Sequence, residues 1–235
     1  MASEDFALLE PHLERMPLQV GQVVAEINTP IDMIYFPEGG VVSFSDVLSG
    51  GERIGIGILG CEGVTGCAVL LGCRTSPHEA SVAVADGDAV RISTAALLAA
   101  CERSETLRVL LLRFVQTFTI QLGRTIVSNL VDPVERRLSR WLLMNHDRLG
   151  GDEIELTHQQ IGIMLGVRRA SVTDALHLLE GEGVIRCRRG RVTIRDRERL
   201  QQIAGEAYGF AEAEYCRLIG SFGKNGQAPQ PQVGA

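Results

Sequence analysis

The chain has 235 residues, 45% of them hydrophobic, with 23 basic and 29 acidic side chains and a formal net charge of −6. That length suits one large domain or two small ones with a real core, and no uncharged apolar run reaches the roughly 18 residues at which a membrane-spanning helix is suspected. The acidic start, MASEDFALLEPHLERM, lacks the basic head and apolar stretch of a secretory signal, so the expected location is the cytoplasm and the six cysteines are expected to be reduced.

The charge is unevenly spread. Residues 1–131 hold fifteen acids and eight bases, whereas residues 132–235 hold fourteen and fifteen, and residues 168–199 alone carry nine arginines against five acids. Such asymmetry suggests an anion-binding module joined to something else.

In chain order, residues 17–94 read as β. The short apolar runs Val20–Ile27, Met33–Phe36, Val41–Val47 and Ile54–Leu59 are separated by turn signals such as Pro37-Glu38-Gly39-Gly40 and Ser49-Gly50-Gly51. Closely spaced strands of this kind predict a sandwich, barrel or jelly roll. From Thr94 to about Leu130 there is no proline, and Leu107, Leu111, Phe114, Phe118 and Leu122 recur at four and three residues. That seam predicts one long helix whose stripe forms a two-stranded dimer interface. Asp132-Pro133-Val134-Glu135 reads as N-cap, first helical residue and capping-box acid, opening a helix that ends near Met144.

Thr157 to Ile185 reads THQQIGIMLGVRRASVTDALHLLEGEGVI. Thr157 and Gln160 make a capping box for a short helix that stops at Gly166. A second helix, from about Arg169 to Glu180, sets Val172, Ala175, Leu176 and Leu179 on one side and Arg169, Ala170, Thr173, Asp174 and His177 on the other. This is a helix-turn-helix pattern. Two strands, Ile185–Cys187 and Val192–Ile194, then flank Arg188-Arg189-Gly190-Arg191, a basic hairpin that makes the unit a winged helix. Arg169, Ser171 and Thr173 are the expected base readers. Arg188, Arg189 and Arg191 are the expected phosphate contacts, and Arg168, Asp174, His177, Thr157 and His158 lie on the same expected surface.

With these residues placed, the chain over about residues 10–200 resembles the Crp/Fnr family of bacterial transcription regulators, most specifically in LTHQQIGIMLGVRRASVTDALHLLEGEGVI. The resemblance implies an α+β chain. An N-terminal jelly roll (double-stranded β-helix), similar to cyclic-nucleotide-binding domains, and a central dimerisation helix at about 95–131 would fill residues 1–131. A winged helix would fill 132–221, and the Gly/Pro/Gln-rich residues 222–235 read by composition as a disordered tail. It further implies a homodimer on palindromic promoter DNA and contact with RNA polymerase. Arg169 matches the family's guanine-reading Arg, whereas Ala170 and Asp174 stand where the cyclic-AMP receptor branch has a base-reading Glu and an Arg, so the operator is expected to differ.

The matching effector cassette here is GVTGCAVLLGCRTSPHEASVAV. Gly63, Val64, Thr65, Gly66 and Cys67 stand where a ribose-binding Gly-Glu-Leu segment belongs, with Arg74, His78 and Glu79 near the phosphate position. Val64 cannot hold a ribose diol and Glu79 would repel a phosphate, so ordinary cyclic-AMP binding is not expected and the effector is unassigned. Cys61, Cys67, Cys73 and Cys101 match no zinc or iron–sulfur spacing. They read as packing residues, with thiol sensing by Cys61, Cys67 and Cys73 as the alternative. His12, His78 and His146 are scattered and read as surface or core residues. No cofactor, metal or membrane partner is expected. No triad, phosphate loop or paired-carboxylate motif points to an enzyme. A ligand-binding module whose helical tail binds protein instead of DNA is a further alternative.

Overall fold

In a computed structural model that describes residues 1–224, helix α1 (Ser3–Leu9) leads into seven short strands. These are β1 (Glu14–Leu18), β2 (Val23–Ala25), β3 (Met33–Pro37), β4 (Val41–Val47), β5 (Arg53–Leu59), β6 (Glu79–Val84) and β7 (Gly87–Ser93), with a 3₁₀ turn at Cys67–Leu71. They form two antiparallel sheets, ordered β1-β7-β3 and β2-β6-β4-β5. The inner faces meet over Leu18, Ile34, Val42, Leu59, Val82 and Ile92. Alternate residues of β6 are buried, as a strand with one face on the core requires. The roll is therefore as expected, although its first strand starts at Glu14 and the run Val20–Ile27 contributes only the three residues of β2.

The helix expected from Thr94 to Leu130 is two helices, α2 (Thr94–Arg103) and α3 (Glu105–Val131). Ser104 between them is extended, and its hydroxyl accepts from the Leu107 N–H at 3.1 Å, capping α3. Asp5 of α1 accepts from the hydroxyls of Ser104 and Thr106, which fixes the break.

The apolar stripe of α3 faces its own roll, which corrects the expectation that it meets a second chain. Leu107, Leu111 and Phe114 are buried in the roll's core. Phe118 packs on Phe44 with ring centroids 4.9 Å apart, and Leu122 lies over Gly57. A roll this small leaves one sheet face to be covered, and the stripe covers it. The solvent side of α3 instead carries Ile126, Val127, Leu130 and Val131, the last two 79% and 71% exposed.

After the extended pair Asp132-Pro133, α4 runs from Val134 to His146. Pro133, not Asp132, is its N-cap, with no side-chain cap. Asp132 pairs instead with Arg136 at 3.3 Å, so the expected capping box does not form. The remaining elements are β8 (Glu153–Glu155), α5 (His158–Leu165), α6 (Arg169–Gly181), β9 (Ile185–Arg188), β10 (Arg191–Ile194), α7 (Arg197–Ala204) and α8 (Phe210–Leu218). The strands form an antiparallel sheet ordered β8-β10-β9.

Leu138, Trp141, Leu142, Ile161, Val172, Leu176, Leu179 and Val192 fill a second core, and Val41, Ile58 and Val84 of the roll belong to it. Met164 of α5 packs so closely on Gly55 of β5 that a Cβ there would clash. Of the tail expected to be disordered, Phe222 packs on Tyr215 and Lys224 bonds the Gly151 carbonyl; residues 225–235 lie outside the described ones.

Candidate DNA-binding surface

Helix α5 begins with the expected capping box: Thr157 Oγ1 accepts from the Gln160 N–H and Gln160 Oε1 from the Thr157 N–H. It ends at Gly166, whose φ of +60° lies in the left-handed region that glycine enters without steric cost. The tight turn that follows brings the Val167 carbonyl against Gly162, where a Cβ would sit 2.9 Å away. Helix α6 then buries Val172, Ala175, Leu176 and Leu179. That burial turns Arg168, Arg169, Ala170, Asp174 and His177 to solvent, with Ser171 half-buried.

One expected reader, Thr173, and His158 from the same expected surface have internal tasks. Thr173 Oγ1 lies 3.0 Å from His158 Nδ1 and donates to the Arg169 carbonyl at 3.1 Å, so Thr173 and His158 tie α6 to α5 instead of reaching outward. The Thr157 hydroxyl is engaged in its cap. In the wing, Gly190 takes a positive φ at the hairpin tip. Arg191, expected to hold phosphate, is gripped by Glu153 at 2.9 Å and Glu155 at 2.6 Å from β8. The two carboxylates raise its pKa by hydrogen bonding and charge, and they neutralise it. Strand β8 is only three residues long and exists through its pairing with β10, so the sequence carries no local signal for this quenching. Among the described residues, Arg168, Arg169, Arg188 and Arg189 are exposed and form no ion pair, and Arg186 and Arg195 join them as basic residues not anticipated.

Residues 136–203 match the family model described as the Crp-like helix-turn-helix domain. That stretch is a helix-turn-helix domain of the Crp-like type. No curated protein sequence matches the chain. Its fold is similar to that of a crp/fnr-family transcriptional regulator from Eubacterium rectale, at 17% identity and a TM-score of 0.68, over 87% of this chain and 95% of that one. It is also similar to FixK2 from Bradyrhizobium japonicum, at 17% identity and 0.69, over 81% and 96%. A third likeness is to the c-di-GMP-responsive global regulator CLP of Xanthomonas campestris, at 16% identity and 0.65, over 82% and 99%.

Outside that domain, the residues of the expected effector cassette are scattered over structural roles. Val64 and Thr65 are buried, and Thr65 pairs with Tyr35 of β3 through both backbone and hydroxyl. Gly66 sits against Ile34, where any side chain would collide. Cys67 donates to the Val64 carbonyl at 3.3 Å, and burial pushes its thiol up to about 12, so it stays protonated and unreactive at neutral pH. Glu79 pairs with Arg53 across the sheet at 2.8 Å; His78 is half-buried and Arg74 is exposed. Cys61 and Cys73 are exposed, which corrects the packed reading of that stretch, and Cys101 is buried. His146 is buried and bonded to Asp152 and Arg197. Among the described residues no group of three or more His, Cys, Asp or Glu side chains is arranged so that it could hold a metal ion, and no helix is long and apolar enough to cross a membrane.

Proposed function

We propose that this chain is a Crp/Fnr-type, sequence-specific transcription regulator that acts in the cytoplasm as a homodimer on palindromic promoter DNA. Its partners are double-stranded DNA and RNA polymerase, and its signal is something other than classical cyclic AMP. The observation that carries the reading is the free face of α6. Arg168 and Arg169 stand uncommitted at its N-terminal end, where a recognition helix meets base edges, and Arg188 and Arg189 flank it on the wing. Asp174 on the same face accepts only, and so favours a base that offers an exocyclic amine, cytosine above all.

The test is a selection of bound duplexes from random DNA, followed by titration of the selected site at several salt concentrations. Affinity is expected to fall linearly and steeply on log–log axes, because each neutralised phosphate releases counterions. A flat salt response would point to a protein partner instead and sink the reading.

The dimer contact is assigned to the solvent side of α3, where Gly123, Ile126, Val127 and Leu130 share a face at three- and four-residue spacing. Gly123 has open space around its Cα, so a second helix can approach there. The double change Ile126→Asp and Leu130→Asp is expected to convert a dimer into a monomer in sedimentation, with the fold retained because both residues are exposed. An unchanged dimer would refute the assignment.

Against cyclic AMP stand the buried Val64 and Thr65, which offer no carboxylate to a ribose diol, and Glu79, whose charge beside Arg53 would repel a phosphate. Titration calorimetry with cyclic AMP is expected to show no micromolar binding, and a clear micromolar isotherm would overturn this.

A further inference from the structure

Four elements meet between the roll and the DNA-binding unit: the loop Gly60–Gly63 after β5, the middle of α3, the end of α4, and α8. Arg148, just past α4, is buried and bonds Glu62 of the loop at 2.6 and 2.8 Å. It also donates to the Met144 carbonyl at 2.7 Å, and its guanidinium stacks 5.0 Å from the Phe222 ring. Burial opposes its charge, but Glu62, Asp147 and Glu212 more than offset that and hold it protonated. The loop can approach this closely because it begins and ends with glycine. A Cβ on Gly60 would lie 2.9 Å from Arg148 Cβ, and one on Gly63 would strike the Phe114 ring.

Helix α8 closes the remaining gap. Tyr215 donates its hydroxyl to the Glu62 carbonyl at 2.8 Å, Arg113 of α3 bonds the Leu218 carbonyl at 3.3 Å, and Arg124 bonds the Glu206 carbonyl at 2.6 Å. Glu212 is buried near Arg140, and its carboxylate accepts from the Gly209 N–H. Between Glu62, Phe114, Gln121, Arg148, Glu212 and Tyr215 only about 20 Å³ remains, room for a single water.

We propose that α8 works as a built-in effector. It is a segment of the chain itself, seated between roll and winged helix, that holds the recognition helix in one orientation through Tyr215, Phe222 and the Glu62–Arg148 pair. A ligand placed here would have to bridge the roll to the α4 end; α8 already bridges them. The proposal rests on the DNA-binding reading for its functional consequence, but its structural part is independent of it. Unseating α8 would free the contact of α5 with β5 and let α6 change its angle to DNA.

The test uses the full chain carrying Tyr215→Phe with Phe222→Ala, and separately Ala211→Glu, which places a charge on the buried side of α8. Hydrogen exchange is followed in α8, α5 and β5, together with affinity for the selected duplex and for random duplex. The expected result is that protection in α8 and in the α5–β5 contact falls together, about tenfold or more, while overall circular dichroism is kept. The ratio of specific to non-specific affinity is expected to shift at least tenfold with the salt slope unchanged. Loosening of α8 alone, with α5, β5 and the ratio unmoved, would make α8 a passive appendage and overturn the proposal. So would failure of both variants to loosen α8, since the named bonds would then not be what holds it. A wild-type chain that shows no salt-dependent DNA binding would sink the DNA reading instead, and the exchange data would still decide whether α8 holds the junction together.

Discussion

Arg148→Ala is expected to destabilise the chain by about 3–5 kcal/mol, because it leaves Glu62 as an uncompensated buried charge. The two side chains are only 3% and 5% exposed, and the pair joins the roll to the α4 end. For a chain of this size each kcal/mol moves Tm by about 2–4 °C, so the melting point should fall on the order of 10 °C. Arg91→Ala is the control. The Arg91–Glu14 pair has similar geometry, at 2.9 Å, but lies in solvent at 37% and 64% exposure, where an ion pair contributes about 0–1 kcal/mol. Chemical denaturation of both variants decides the matter. Equal small losses would mean that water reaches Arg148 and that the junction is looser than its burial states.

Arg169→Ala should cost about 1–3 kcal/mol, or roughly five- to 150-fold, in affinity for the selected operator, with far less effect on random DNA. Arg169 is the first residue of α6, exposed, and in no ion pair among the described residues. Equal losses on both DNAs would reduce it to a phosphate contact. The wing supplies the comparison. Arg189→Ala should weaken binding to all sequences and lower the salt slope by about one. Arg191→Ala should leave the slope nearly unchanged, because Glu153 and Glu155 already neutralise that guanidinium.

These contrasts trace which signals are local. The capping box at Thr157 and Gln160 and the glycine stop at Gly166 depend on residues a few positions apart, so they could be read from the chain and formed as expected. The heptad-like stripe of α3 was equally visible, but periodicity says only that a face is buried and not what buries it. The roll's own sheet claimed it. Strand β8 is three residues long and exists through its pairing with β10, so Glu153 and Glu155 gave no warning that they would hold Arg191. Thr173 and His158 are fifteen residues apart, and their bond follows from how two helices cross. Helix α8 and Arg148 escaped notice for the same reason. Nothing in NHDRLGG marks a buried arginine until Glu62, 86 residues away, is brought beside it.

Val41, Ile58 and Val84 sit in the apolar core that Trp141, Leu142 and Met144 build beneath the helix-turn-helix, and Met164 presses on Gly55. Residues 136–203 are therefore not an exchangeable part. Grafted onto a different sensor they would carry an uncovered hydrophobic floor, and a roll left behind would show the matching patch. On the proposed reading, a change of DNA specificity is most readily reached by substitutions on the free face of α6, which leave that shared core untouched.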